Sequence, residues 1–509
     1  MKNHKTISYP ASESGTEKIE RLRLVIPQLE QPSFINWLKE LTSQEARSLL
    51  GANYRELKEI AITQKRSLSN LAFFILERKY SEMATSGEPL GKDLQIHQSL
   101  LPLQTHTMGA YGTFAPNHQE SIHRWYPYIE GFSSSFVQSL LGEFAGPNCR
   151  IYDPFAGTGT TVTVSATNGL LPFYSEINPF MRLVIECKTN KIRDVVENEK
   201  ELRNYFEKID NFARINLPTS KSAQGELKRA FGDRQYYKAK RLREIVSIRR
   251  SITACKPRLT TFRNFARLAL GSIAVACSEM KRAADLRYRT PKELLPDKFS
   301  VIDEFQKKTS EIYSDICSVQ TSLPTVTCLS ESALDEYHFD KYIDLVVTSP
   351  PYLNGTNYFR NTKIELWLTG FISCERELRS FRDKAMTAGI NNVFKGGRPA
   401  KRLPIVDDIV SKLDDVAYDK RIPELARRYF SDSILWINNV YRLLRPGGVA
   451  VIDIGDSRFA GITIPTDEIL LYIAEMCGFL QNEIRHVRCR RSKDGSPLKQ
   501  VLLVLTKPQ

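Results

Sequence analysis

The chain has 509 residues, 42% of them hydrophobic and 26% charged, which excludes collagen-like, coiled-coil and wholly disordered chains and leaves room for about two to four domains. Its 72 Lys and Arg outnumber 58 Asp and Glu for a net charge of +14, so an acidic polymer suits it better as a partner than a basic one. The opening stretch MKNHKTISYPASESGTEK is polar and no apolar run of about 18 residues occurs anywhere, which predicts a cytoplasmic chain with no membrane partner. The nine cysteines never form a CxxC pair, so neither a disulfide framework nor a metal site is expected.

In chain order, apolar and charged positions alternate at helical spacing over 17–80, predicting a helical N-terminal domain and linker over 1–95, with Ala84–Lys92 as the linker. Residues 96–190 hold the first part of an α/β core: the strand CRIYDPF, the helix TTVTVSATN closed by Gly169, and the strand LPFYSEI. Residues 191–325 read as a basic helical insertion. Strands resume over 326–509 with YIDLVVTSPPY and a helix through Ile364 to Phe371. A polar, irregular insertion follows over 375–420, with NNVFKGGRPAKR at its centre. Then come the long helix PELARRYFSDSILWINNVYRLL, the strand VAVIDIG, and two terminal strands, EIRHVRCRR and KQVLLVLTK, joined by KDGSP. This alternation predicts a doubly wound α/β sheet with an antiparallel edge and its ligands at the carboxyl ends of the strands.

The first chemical signal is Asp153-Pro154-Phe155-Ala156-Gly157-Thr158-Gly159-Thr160, at the first strand-to-helix turn. Gly157 and Gly159 allow positive φ and close approach of backbone to a ligand. The third glycine of a dinucleotide fingerprint is missing, as is the lysine of a phosphate loop, which argues against a nucleoside polyphosphate. Glu176 ends the second strand about twenty residues on, where a carboxylate can accept from both ribose hydroxyls. A nucleoside without polyphosphate, cationic and close to an acid, fits S-adenosylmethionine.

The second signal is Ser349-Pro350-Pro351-Tyr352, running straight out of the apolar strand IDLVVT. Two prolines hold the backbone extended and lack N–H groups, so carbonyl oxygens stay available as acceptors. The Ser349 hydroxyl and Pro350 carbonyl can take the protons of an exocyclic amine and turn its lone pair towards an electrophilic methyl, with Tyr352 stacking on the ring. Alone, this tetrapeptide is an ordinary surface turn. Downstream of the glycine motif and a spaced acid, it points to chemistry.

Together, these motifs make the chain resemble the S-adenosylmethionine-dependent DNA amino-methyltransferases over Ser121 to Lys507. The stretch Ile122 to Phe132 is similar to the family's helix preceding the cofactor motif, with Phe132 among its better matches, and the resemblance implies that it encloses the methionine end of the cofactor. Glu331 stands where the family has an Asp facing the adenine. Leu353, Asn354, Gly355 and Tyr358 to Trp367, and the late Leu444 to Gly448, also match. The resemblance implies a site-specific enzyme acting on double-stranded DNA in restriction–modification or phage defence, with a separately encoded cognate restriction endonuclease as a partner it allows. SPPY accompanies cytosine N4 methylation most often, although enzymes with SPPY commonly carry the catalytic motif first and this chain carries it second. Adenine N6 methylation, an RNA amino-methyltransferase, and a catalytically silent DNA-binding protein are the alternatives. Carbon-5 methylation needs a nucleophilic Cys after Pro, and the sequence has no Pro-Cys pair.

From Lys221 to Arg289 there are 18 Lys and Arg against 5 Asp and Glu, a difference of 13 that nearly equals the whole net charge of +14. Tyr236, Tyr237, Phe262 and Phe265 are interleaved with these cations, which predicts a phosphate-tracking surface. Target recognition is expected in 191–325 first and in 375–420 second, the latter with Lys395, Arg398, Lys401 and Arg402.

Overall fold

The structure is a computed structural model and describes residues 113–128, 131–283, 285–319, 323–336, 339, 342–353, 358–393, 398–492 and 495–509. The helical domain expected over 1–95 lies outside the described residues, as do Asn354, Gly355 and Lys395.

Seven strands form the central sheet: β1 (Arg150–Asp153), β2 (Leu171–Ser175), β3 (Thr327–Ser330), β4 (Ile343–Thr348), β5 (Leu444–Gly455), β6 (Leu480–Arg491) and β7 (Pro497–Thr506), in the order β6-β7-β5-β4-β1-β2-β3. The pairs β1–β2, β2–β3, β1–β4 and β4–β5 are parallel, and β7 runs antiparallel between β5 and β6. The order therefore reverses beside β1, opening a crevice between the carboxyl ends of β1 and β4, where sheets of this kind bind ligands.

Alternation along the strands fills both faces. Ala450, Ile452 and Ile454 pack with Val346 under the helices α10 (Pro404–Val416), α11 (Ile422–Leu443) and α12 (Thr466–Met476). Val451, Leu345 and Val347 pack on the other face against α1 (Ser134–Phe144). Burial on both faces explains why β4 reads as a continuous apolar run. Between β1 and β2 lies α2 (Thr160–Thr167), and α3 (Pro179–Lys188) follows β2.

Within 191–325 the described residues include the helices α4 (Glu199–Ile215), α5 (Ser220–Phe231), α6 (Ala239–Ala254), α7 (Thr260–Ile273) and α8 (Val301–Ile316). They share one core with Phe180 and Met181 of α3 and with Ile364 and Trp367 of the short helix α9 (Lys363–Leu368). The insertion is thus built into the scaffold around the cleft.

Its interleaved aromatics correct the sequence reading. Tyr236, Tyr237, Phe262 and Phe265 are all buried, so they supply core rather than stacking surface. Many of its cations are also consumed internally: Arg241 pairs with Glu279, Arg249 and Arg250 with Glu226, Lys238 with Asp297, Arg258 with Glu201, and Arg282 with Glu365.

Two further expectations change. The helix expected over Ile122 to Phe132 does not run through its described start: a 3-10 turn, His123–Trp125, gives way at once to extended backbone at Tyr126, because Pro127 disfavours helical conformation before it. Asp315 of α8 holds that turn, accepting from Ile122 N, Arg124 and Trp125 Nε1. The 375–420 insertion is not irregular throughout, since its second half is α10, with Val406, Val410 and Leu413 buried at helical spacing. Among the described residues no helix is long and apolar enough to cross a membrane.

A candidate active site between two strand ends

The turns after β1 and β4 open into one cavity of about 660 Å³. Of the residues singled out in sequence, Phe132, Asp153, Pro154, Phe155, Ala156, Gly157, Thr158, Thr160, Glu176, Glu331, Ser349, Pro350, Pro351 and Tyr352 line it. Gly159 does not; it caps α2 at φ +79°, and a side chain there would start 2.7 Å from Ile185 Cγ1.

Asp153 joins the two turns. Its Oδ1 accepts from Phe155 N at 3.0 Å, holding the glycine loop, and from Thr348 Oγ1 at 2.7 Å, the residue just before Ser349. Burial pushes this carboxyl up to about 6 despite those donors. Gly157 adopts φ +53°, and a Cβ there would meet the Tyr128 ring at 3.4 Å. Beneath the loop, the Lys188 ammonium donates to Thr158 O at 3.1 Å, and burial brings its pKa down to about 7.

Glu176 lies at the base of the cavity. Its Oε2 accepts from Gly157 N at 2.8 Å and its Oε1 from Asn178 N at 2.7 Å. These bonds and Arg182 favour the carboxylate, but burial outweighs them and raises the group to about 7. Glu331 is exposed at the rim, where it pairs with Arg182 at 2.9 Å and Lys384 at 3.6 Å.

Around the double proline, Tyr429 OH of α11 donates to Pro351 O at 3.0 Å, and Ser457 Oγ donates to Leu353 O at 2.6 Å. Tyr352 is hydrogen-bonded through its hydroxyl to Ser349 and to Asp453, and burial keeps that phenol protonated. The Arg490 guanidinium lies over its ring, 5.0 Å from the centroid, so one ring face is already covered.

Sequence reasoning missed the group behind Tyr352. Asp453, near the end of β5, is buried and raised to about 6 by that burial. Gln500 Nε2 donates to both of its oxygens, at 2.8 and 3.0 Å, while Gln500 Oε1 accepts from Arg488 Nε at 2.8 Å. The available signal was a carboxylate inside VIDIG, an otherwise apolar strand, where an unpartnered charge is costly.

The chain is similar to Type II methyltransferases. It is 23% identical over 475 residues to M.BsoBI of Geobacillus stearothermophilus, spanning 83% of this chain and 88% of that protein. M.AvaI of Nostoc sp. is 25% identical over 410 residues, 72% of this chain and 81% of its own length. M.MvaI of Kocuria varians is 23% identical over 396 residues, 70% and 82% respectively. No family model matches the chain. Of solved structures, the crystal structure of TrmN from Thermus thermophilus aligns over 74% of this chain and 48% of its own, at 10% identity and a TM-score of 0.25.

Proposed function

We propose that this chain is an S-adenosylmethionine-dependent DNA methyltransferase of a restriction–modification or phage-defence system, transferring a methyl group to the exocyclic N4 of cytosine in double-stranded DNA. The observation that carries this reading is the Asp153–Thr348 hydrogen bond across the parallel β1–β4 pair, through which the glycine turn and the SPPY turn share one cavity. The reversal of strand order beside β1 supports a Rossmann-like methyltransferase sheet, and the Type II methyltransferases among the relatives support DNA as the substrate; a separately encoded cognate endonuclease belongs to the same proposal.

The residues present fit the cofactor. Gly157, at φ +53°, lets the loop backbone turn towards the cavity in a conformation that L side chains rarely adopt, and Glu176 offers a carboxylate in the cavity for ribose hydroxyls. Phe132 and Tyr128 close the side next to the glycine loop, and Glu331 lies at the rim near Ser332 and Leu334. S-adenosylmethionine supplies an electrophilic methyl on a sulfonium.

The chain's own residues do the rest by alignment. Ser349 donates to Tyr352, which donates to the Asp453 carboxylate, so the Ser349 oxygen keeps lone pairs to accept an amine proton. The Pro350 carbonyl accepts a hydrogen bond from the second amine N–H, so the amine lone pair points at the methyl; as the N–C bond forms and the S–C bond breaks, the nitrogen gives up one proton to water. Tyr429 and Ser457 fix the carbonyls on either side of Tyr352 and hold this loop in place. A base in duplex DNA must first be extruded, at about a few kcal/mol offset by contacts in the pocket. Cytosine N4 is favoured over adenine N6 by the serine at the head of the motif.

The test is transfer of labelled methyl from S-adenosylmethionine to unmethylated duplex DNA and, separately, to tRNA, with calorimetric binding of the cofactor alongside. Wild type labels the DNA and not the tRNA, while Ser349→Ala binds cofactor normally and loses turnover. Label in tRNA alone, or near-wild-type methylation by Ser349→Ala, contradicts the reading.

A further inference from the structure

Beyond Tyr352 the cavity has a wall that neither motif supplies. It is formed by β6 and by a short hairpin, Ser457–Phe459 paired with Ile462–Ile464 through a tight turn at Ala460 and Gly461, both at positive φ. Arg458 of the hairpin and Arg488, Arg490 and Arg491 of β6 line the cavity together.

These arginines are held differently from those of the helical insertion. Arg490 donates through Nη2 to Asp456 O at 3.1 Å, which fixes its guanidinium beside Tyr352, and its Nε is buried with no hydrogen-bond partner among the described residues. Arg491 is exposed and donates to Gly495 O at 3.3 Å. Among the described residues neither is within ion-pairing distance of a carboxylate, whereas Arg241, Arg249, Arg250 and Arg258 each are. Arg458 donates to Thr463 Oγ1 at 2.7 Å across its own hairpin.

Two acids also line this side. Asp453 is engaged by Gln500 and Tyr352, and Asp456 is pushed upward by burial and by neighbouring Asp467. Arg488 and Arg490 favour the Asp453 carboxylate and are partly balanced by it, while Arg491 lies exposed at the mouth. A base whose amine meets Ser349 trails its phosphodiesters past the rim of the same cavity, because base and phosphate are joined through one sugar.

Resting on the function proposed above, we infer that Arg458, Arg490 and Arg491 form a phosphate-binding wall that grips the DNA strand carrying the extruded base. The strand's backbone contacts are thereby assigned to the terminal strands and the short hairpin, not to the paired cations of residues 221–289. Arg488, bound to Gln500, is a positioning residue behind the wall.

Equilibrium binding of a labelled duplex, followed by anisotropy over a range of salt concentrations, tests this with the full-length chain. The double variant Arg458→Gln/Arg491→Gln reduces the slope of log K against log salt by about 1.8, from about 0.9 per phosphate contact. Between about 50 and 200 mM salt its affinity then falls about tenfold less than that of wild type. The KM for DNA rises, while melting temperature and cofactor Kd stay at wild-type values. The control Arg258→Gln, in the helical insertion, leaves the slope unchanged. A slope in the double variant equal to that of wild type overturns the wall, as does a loss confined to cofactor affinity. A wild-type chain that neither binds nor methylates DNA instead removes the function on which the wall rests, so the two failures are distinguishable.

Discussion

The proposed contact between Glu176 and the cofactor ribose predicts that cofactor affinity depends on pH. Burial raises its carboxyl from 4.5 to about 7, although two backbone N–H groups and Arg182 favour the ionised form. Ribose hydroxyls donate more strongly to a carboxylate than to a protonated carboxyl, whose acceptor capacity is reduced, so the cofactor favours the ionised state. With a pKa near 7, the ionised fraction is about one eleventh at pH 6 and about ten elevenths at pH 8, a tenfold difference worth about 1.4 kcal/mol. The dissociation constant for S-adenosylmethionine is therefore up to about tenfold weaker at pH 6 than at pH 8, with protons released on binding below pH 7. Isothermal titration across that range, in buffers of different ionisation enthalpy, reads both effects. Glu176→Gln removes this titrating group, so its weaker affinity should vary less with pH than that of wild type, the remaining dependence coming from Asp153 and Lys188, which hold the same loop. A wild-type affinity that is flat, with no proton release, refutes the role of Glu176.

Three other perturbations probe the frame around the cleft. Gly159→Ala places a Cβ at φ +79° and 2.7 Å from Ile185 Cγ1; it should lower the melting temperature and abolish cofactor binding, the backbone strain alone costing about 1–2 kcal/mol, and wild-type values of both would contradict the glycine elbow. Tyr429→Phe removes the hydrogen bond to Pro351 O, worth about 1 kcal/mol, and should lower kcat several-fold in a steady-state methylation assay with cofactor Kd unchanged; an unaltered kcat would mean that Tyr429 does not hold the loop. Gly271→Ala drives a methyl into the Phe180 ring where α7 crosses α3, so the urea midpoint should fall by an amount equivalent to about 1–3 kcal/mol, and an unmoved midpoint would refute that packing.

The parts of the fold legible in the sequence are those governed by local chemistry. The glycine pair at 157 and 159 frees its own backbone for positive φ and the proline pair at 350 and 351 restricts its own, and the apolar runs of β1, β4 and β5 are legible because both sheet faces are covered. What escaped depends on partners far along the chain. Whether Arg241 or Arg282 faces phosphate or carboxylate is decided by Glu279 and Glu365. The turn at His123–Trp125 is held by Asp315, about 190 residues away. In α10 the spacing of Val406, Val410 and Leu413, with acids on the opposite face, is itself a helical period that the sequence carries. Asp453 was missed because its partners, Gln500 and Tyr352, lie on other elements.

The most direct measurement is nucleoside mass spectrometry on DNA from a methylation-free host expressing this chain. Wild type should yield N4-methylcytosine, and Ser349→Ala none. N6-methyladenine in its place would overturn the choice of base while leaving the amine chemistry intact, and DNA free of any methylated amine would contradict the central claim.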